Sequence, residues 1–113
     1  QIEGAIQQGI GYCLTENYII DPASGRVETD NYDRYKMPGF LDMPQIEVVI
    51  VDELDPKGPH GAKGVGEAGM VGVAPAIGNA IYDAIGIRFH RLPITAESVL
   101  AALRRGGESK RSS

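Results

Sequence analysis

The hydrophobic positions of this 113-residue chain change their spacing along its length, and each spacing predicts a different element. In QIEGAIQQGIGYCLTE, residues 1–16, apolar residues recur every three or four positions, which predicts an amphipathic helix. The spacing changes to alternation in YIIDPASGRVETD, residues 18–30, where a Pro-Ala-Ser-Gly turn separates two apolar stretches. Alternation around such a turn predicts a hairpin of short strands.

The middle of the chain is dominated by β-branched residues. A second extended segment is expected at residues 32–36, and the prolines of MPGFLDMP, residues 37–44, predict irregular backbone after it. QIEVVIVDE, residues 45–53, is the clearest predicted strand. Its continuous Val and Ile run is typical of a strand that is buried on both faces.

A long glycine-rich loop, LDPKGPHGAKGVGEAG, residues 54–69, separates that strand from a second helical pattern. Helical spacing resumes over residues 70–86, with Gly86 suited to the helix stop, and residues 87–94 predict a short strand. TAESVLAALRR, residues 95–105, predicts a final helix with Thr95 as its N-cap. The order of elements predicts an α+β fold: helix, short-stranded sheet, loop, helix, strand, helix. We expect one domain over residues 1–105 and a flexible tail over residues 106–113.

Composition narrows the class of protein. A formal net charge of -4 and the lack of a dense basic run argue against a nucleic-acid or anionic-membrane surface. No apolar run approaches the roughly 20 residues that span a bilayer, and a lone Cys13 cannot form an internal disulfide, so we expect a protein of the reducing cytoplasm. The first helical pattern starts without a capping residue or an initiator Met, and we interpret the chain as a piece of a longer protein.

The glycine-rich loop raises the question of phosphate binding. Residues 64–69 match G-x-G-x-x-G, but about ten loop residues follow Glu53 before Gly64, whereas a dinucleotide fingerprint turns directly from strand to helix. A P-loop is excluded because Lys63 is followed by glycine where Ser or Thr should bind magnesium. Glu67 within this loop is either a solvated loop charge or, in a closed and water-poor cavity, a general base. The pattern alone leaves both interpretations open.

Four separated motifs together resemble one family. The chain is similar to the C-terminal part of the molybdenum-binding large subunit of the xanthine oxidase and aldehyde oxidoreductase family, in order from Gln1 to about Leu103. The motifs are QIEGAIQQGIGY (1–12), YDRYKMPGFLDMP (32–44), GAKGVGEAG (61–69) and PAIGNAIYDAIG followed by LPIT (75–86 and 92–95). The resemblance implies a fragment of the C-terminal molybdenum cofactor-binding domain. Many relatives have a second glycine where this chain has Ala5.

The resemblance also implies roles for particular residues. Glu67 corresponds to the catalytic base, and Gln1 to a glutamine that lies against the pterin, although a solvated helix end is the alternative for Gln1. The cofactor-binding loop corresponds to Lys63, Gly64, Val65 and Gly66. Lys63 would lower the pKa of the neighbouring carboxylate, orient an acidic substrate, or do neither. In this family the pterin dithiolene holds the molybdenum, so no protein metal ligand is expected.

The implied enzyme is a molybdenum hydroxylase that oxidises an aldehyde or an N-heterocycle with oxygen from water. Its other implied cofactors, [2Fe-2S] and FAD, lie on other domains or subunits, because one cysteine cannot hold a cluster. The expected partners are the remainder of the subunit, the iron-sulfur and flavin parts and a small-molecule substrate, with self-association through uncovered apolar faces. The chain is expected to be inactive alone. The alternative is a non-catalytic module whose glycine-rich loop binds an anion or a partner.

Overall fold

The structure, a computed structural model, describes residues 1–109. Its regular elements are almost all helical, and they are separated by long extended or looped segments. In chain order the α helices are α1 (Ile2–Leu14), α2 (Ala68–Val71), α3 (Val73–Ile85) and α4 (Ala96–Ser109), and short 3-10 turns lie at Phe40–Asp42 and Pro59–Gly61.

The predicted first helix is confirmed as α1, and it is the centre of what core the described residues form. Ala5 and Cys13 are buried on α1, which packs against α2 and α3. The backbone N–H of Ile94, which is itself buried, donates to the Cys13 carbonyl at 2.7 Å. This bond joins the end of α1 to the segment that leads into α4.

Small residues allow α1 and the α2–α3 segment to approach closely. A Cβ added at Gly9 would lie 2.6 Å from the Cβ of Val73, and one added at Gly69 would lie 3.1 Å from the Cβ of Ala5. The contact residues are four positions apart in α1 (Ala5 and Gly9) and also in the α2–α3 segment (Gly69 and Val73). The two segments therefore run in the same direction where they meet. Positions four apart lie on one helix face, which explains why a single face of α1 carries both contacts.

The second helical pattern forms two helices, α2 and α3, because the helix is interrupted at Gly72. The predicted stop at Gly86 is confirmed: this residue has φ 70° and its N–H donates to the Tyr82 carbonyl at 2.7 Å. Glycine adopts this left-handed conformation without the steric cost that a Cβ brings. The segment Ala68–Ile85 has 18 residues and is long and apolar enough to cross a membrane. Core helices of soluble proteins have the same length and composition, so these two properties do not by themselves indicate a membrane span.

The predicted N-cap of the last helix is also confirmed. The Thr95 hydroxyl oxygen accepts a hydrogen bond from the Ser98 N–H at 3.2 Å. The Ser98 hydroxyl in turn donates to the Thr95 carbonyl at 2.7 Å. The cap therefore satisfies one of the N–H groups that the first turn of α4 leaves without a helical partner.

Removing this cap should destabilise α4. We expect Thr95→Ala to lower the free energy of unfolding by about 1 kcal/mol, because the Ser98 N–H loses its acceptor. Thr95→Ser keeps the hydroxyl and is the matched control, with an expected change of a few tenths of a kcal/mol at most. Urea denaturation followed by circular dichroism measures both. Equal losses in the two variants would show that the hydroxyl is not the stabilising group.

The predicted hairpin is present in its smallest form. Ile20 and Val27 form a single antiparallel bridge. The turn between them is held by the Asp21 N–H, which donates to the Arg26 carbonyl at 2.8 Å, and by Gly25, which has φ 71° and donates to the Asp21 carbonyl at 2.8 Å. The turn chemistry predicted from the sequence is therefore realised, with one bridge in place of a ladder.

The segment after the hairpin is attached to α1 by side-chain hydrogen bonds. Gln7 Nε2 donates to the Pro38 carbonyl at 3.0 Å, and the Tyr35 hydroxyl donates to Glu16 Oε2 at 2.7 Å. The bond to the Glu16 carboxylate raises the pKa of Tyr35. The Glu16 side chain lies over Gly11, where any Cβ would overlap its carboxylate. These contacts place residues 35–38 along the side of α1. The extended segment predicted at residues 32–36 is wrong, because the Arg34 and Tyr35 N–H groups donate to the Asn31 carbonyl at 3.1 and 2.8 Å and close a turn there.

The predictions of strands at residues 45–53 and 87–94 are wrong for the described structure. Neither segment forms a ladder with another part of the described chain, and residues 91–93 form a bend. A strand is defined by its hydrogen-bonded neighbour, and the Val49, Ile50 and Val51 side chains are instead 78%, 77% and 81% exposed. The α+β class, which requires a sheet, stays a prediction.

The end of the chain differs in part from the predicted tail at residues 106–113. Helix α4 continues to Ser109, so the first four of these residues are helical. The rest, residues 110–113, lie outside the described residues, and the flexible tail and the domain limit at residue 105 stay predictions.

The described chain does not cover its own apolar surface. Its radius of gyration is 18.7 Å, compared with about 13 Å for a compact domain of about 100 residues. Large hydrophobic side chains are exposed in the part of the chain between α1 and α2, among them Phe40, Leu41, Val49, Ile50, Val51 and Leu54. Exposed apolar surface of this kind favours association with another surface. Self-association of the chain stays a prediction.

Candidate functional site

The glycine-rich loop consists of two different halves. The first half, residues 55–62, closes on itself through backbone hydrogen bonds from Asp55 N to the Gly61 carbonyl at 3.0 Å and from Ala62 N to the Pro59 carbonyl at 3.1 Å. His60 and Gly61 have left-handed φ values of 54° and 76°. This half is therefore a tight turn that its own backbone holds in place.

The second half, residues 63–67, is open. A Cβ added at Gly64 or Gly66 would have no heavy atom of the described chain within 4 Å. Positive φ does not explain these glycines either, because the left-handed glycines of the described residues are Gly25, Gly61 and Gly86. Neither backbone conformation nor packing within the described chain requires glycine at positions 64 and 66. The two glycines leave space beside the backbone for a group from outside the described chain.

The structure brings together two parts of the predicted site that are far apart in sequence. The side-chain Nε2 of Gln1 donates to the Gly66 carbonyl at 3.3 Å. Beside this bond, Val65 lines a cleft of about 290 Å³ together with Gln1, Ile2, Glu3, Val48 and Ile50. Gln1 therefore lies against the predicted cofactor loop and fixes the residue that precedes Glu67.

Glu67 stands between the open half of the loop and α2. Its backbone carbonyl accepts a hydrogen bond from the Met70 N–H at 3.0 Å, and its side chain is exposed, as is that of Lys63. The described residues do not form the closed cavity that would favour a general base. The roles predicted for Glu67 and Lys63 therefore stay predictions from the resemblance.

Within residues 1–109, no group of three or more His, Cys, Asp or Glu side chains is arranged to hold a metal ion. The polar groups at this site are the backbone N–H groups of the loop and the Gln1 amide, which donate hydrogen bonds, and the Glu67 carboxylate, which accepts them. Such a set suits a group that brings its own metal ligands and needs hydrogen bonds around its edge.

Sequence reasoning missed the contact on the far side of Glu67. A Cβ at Gly69 would lie 3.1 Å from the Cβ of Ala5 and 3.2 Å from the Ile2 carbonyl oxygen. The only signal in the sequence was the pair of small residues Ala5 and Gly9 at helical spacing in the first helix.

Known proteins resemble this chain over most of its length. A family described as "Molybdopterin cofactor-binding domain" matches residues 1–44. One subunit of a probable xanthine dehydrogenase of Bacillus subtilis (strain 168) is 36% identical over 107 residues, which are 95% of this chain and 14% of that protein. The molybdenum-binding subunit of an aldehyde oxidoreductase of Escherichia coli (strain K12) is 40% identical over 104 residues, which are 91% of this chain and 14% of that protein.

This chain belongs to the molybdenum-binding subunit family of the xanthine dehydrogenases and aldehyde oxidoreductases. The resemblance predicted from the four motifs is thereby confirmed, and the molybdenum-molybdopterin cofactor that it implies agrees with the descriptions of the matching family and subunits. The chain spans about 14% of the length of the curated family members it matches.

A solved structure of a related enzyme has the same arrangement of elements. The quinoline 2-oxidoreductase of Pseudomonas putida 86 superimposes with a TM-score of 0.81 at 30% sequence identity, over 91% of this chain and 13% of that chain. The open arrangement of this chain is therefore one that a larger oxidoreductase also contains.

Proposed function

We propose that this chain contributes the catalytic base to a molybdenum hydroxylase that oxidises an aldehyde or an N-heterocycle with oxygen from water. The observation that carries the proposal is the bare backbone at Gly64 and Gly66, directly before Glu67, which nothing within the described chain requires. The hydrogen bond from Gln1 to the Gly66 carbonyl supports it, because it joins the residue expected at the pterin to the same loop.

Each residue has a separate task in this proposal. The backbone of Gly64 and Gly66 comes close to the cofactor, and the Gln1 amide holds the loop to the start of α1. The molybdenum-pterin group, when bound, supplies the two-electron oxidation and the transfer of oxygen. The Glu67 carboxylate accepts the proton that must leave the attacking oxygen, which is the work of a general base.

The rest of the enzyme lies outside these residues. We propose that the remainder of the molybdenum-binding subunit closes the site over Glu67, and that [2Fe-2S] and FAD groups on other domains or subunits carry the electrons away. A relative in Paenarthrobacter nicotinovorans is named as the gamma subunit of a 6-hydroxypseudooxynicotine dehydrogenase complex, which supports partner subunits. On this proposal the chain by itself is inactive.

Adding side chains to the bare loop tests the cofactor assignment without measuring activity. We expect Gly64→Val and Gly66→Val, each made in the full subunit, to reduce bound molybdenum and pterin at least tenfold, because the new methyl groups occupy the space that the cofactor approaches. Molybdenum is measured by elemental analysis and pterin by fluorescence.

Ala62→Val is the matched control, since Ala62 is exposed next to the same loop and already carries a Cβ. The Ala62→Val variant should keep the molybdenum and pterin content of the unmodified subunit. Full molybdenum content in both glycine variants would contradict the placement of the cofactor at this loop.

A further inference from the structure

We propose that Gly69 and Ala5 are positioning residues that set the location of Glu67 through the contact between α2 and the first turn of α1. This inference rests on the proposed function, since it concerns the base of that reaction. The juxtaposition that carries it is the close approach of the Gly69 Cα to the Ala5 methyl group and the Ile2 carbonyl oxygen.

Glu67 lies between two attachments to the same helical turn. On its N-terminal side, the Gly66 carbonyl accepts a hydrogen bond from Gln1 Nε2 at 3.3 Å. On its C-terminal side, Gly69 packs against Ile2 and Ala5. Since the backbone is fixed immediately before and shortly after Glu67, the carboxylate moves with the start of α1.

The packing of this segment against α1 includes one tight contact. Helix α2 has four residues and ends at Gly72, where a Cβ would have no heavy atom of the described chain within 4 Å. The contact at Gly69 is tight: a Cβ there would lie 3.1 Å from the Ala5 Cβ and 3.2 Å from the Ile2 carbonyl oxygen. The Ile2 oxygen belongs to helical backbone and cannot rotate away. A methyl group at position 69 therefore pushes α2, and Glu67 with it, away from α1 by a few tenths of an ångström.

Such a displacement matters for a base. Misplacement of a catalytic group by about 1 Å costs on the order of 100-fold in rate. A shift of a few tenths of an ångström should therefore lower kcat by about three- to tenfold, while the KM for substrate and the molybdenum content stay the same. Ala5→Gly removes one of the two neighbours that the new methyl group meets, so it should restore part of the loss.

The experiment is a double-mutant cycle in the full molybdenum-binding subunit with Gly69→Ala, Ala5→Gly and the double variant. We expect kcat to fall about three- to tenfold in Gly69→Ala, about twofold in Ala5→Gly and, in the double variant, by less than in Gly69→Ala. Gly72→Ala is the matched control, with an expected kcat equal to that of the unmodified subunit. Amide hydrogen exchange at Met70, whose N–H donates to the Glu67 carbonyl at 3.0 Å, measured without cofactor, should accelerate in Gly69→Ala and slow again in the double variant.

The outcomes separate this inference from the proposed function. If Glu67→Gln abolishes turnover but Gly69→Ala leaves kcat and exchange unchanged, the positioning role is wrong and the base assignment stands. A double variant as slow as the product of the two single losses would also overturn it, because the two residues would then act independently. If Gly69→Ala does not yield a folded subunit, the test is made with Ala5→Gly alone. Faster amide exchange at Met70 in that variant supports the contact, and unchanged exchange overturns it.

Discussion

Replacing Glu67 with Gln in the full molybdenum-binding subunit is expected to lower kcat by about 10² to 10⁴-fold, the usual contribution of a positioned general base. Gln has nearly the same shape as Glu and keeps a hydrogen-bonding oxygen, but its amide cannot accept the proton. Because the substitution leaves the bare backbone at Gly64 and Gly66 unchanged and adds no bulk at position 67, the molybdenum content should stay the same. Steady-state kinetics and elemental analysis on the same preparation measure both quantities.

The matched control for this substitution is Glu53→Gln. Glu53 is an exposed carboxylate in the segment before the glycine-rich loop, and its loss should leave kcat unchanged. Unchanged turnover in Glu67→Gln would contradict the base assignment. It would favour the alternative drawn from the sequence, in which the loop binds an anion or a partner without taking part in catalysis.

A second large effect is expected at the contact between α1 and α3. Gly9→Ala should lower the free energy of unfolding by about 1–3 kcal/mol, which is the usual cost of overpacking. The new Cβ would lie 2.6 Å from the Val73 Cβ and 2.8 Å from its Cγ2. Val73 is β-branched and half-buried, and its Cβ cannot turn aside by a change of rotamer, so the helices must separate. Chemical denaturation followed by circular dichroism measures the change.

Gly4→Ala in the same helix provides the control for that experiment. A Cβ at Gly4 would have no heavy atom of the described chain within 4 Å. Alanine is the better helix former by roughly 0.5–1 kcal/mol, so this variant should be as stable as the original chain or more so. Equal effects of the two substitutions would show that helix propensity decides stability here and that the contact with Val73 does not.

The helices could be predicted from the sequence because their signals are local. Apolar spacing marks α1 and α3, the stop at Gly86 needs only a residue that tolerates φ 70°, and the cap at Thr95 acts within its own first turn. The strand predicted at residues 45–53 depends on a neighbour that sequence pattern does not supply. Its Val and Ile residues have the composition of a buried strand, yet the described chain leaves most of them exposed.

At the site, too, the sequence predicts individual residues but not the contacts between distant parts of the chain. Glu67 and Gln1 were predicted because motifs of the chain resemble a family, and the family membership is confirmed. The hydrogen bond from Gln1 to Gly66 spans 65 positions, and the contact of Gly69 with Ala5 depends on how two helices pack. Neither follows from local spacing, because both require the angle and the separation between α1 and α2.

The most direct test of the central claim is a crystal structure of the full molybdenum-binding subunit with its cofactor bound. The account predicts that the cofactor lies against the backbone of Gly64 and Gly66, with Gln1 at the pterin and the Glu67 carboxylate facing the molybdenum. Protein side chains packed over these two glycines, with the cofactor elsewhere and Glu67 directed into solvent, would contradict it.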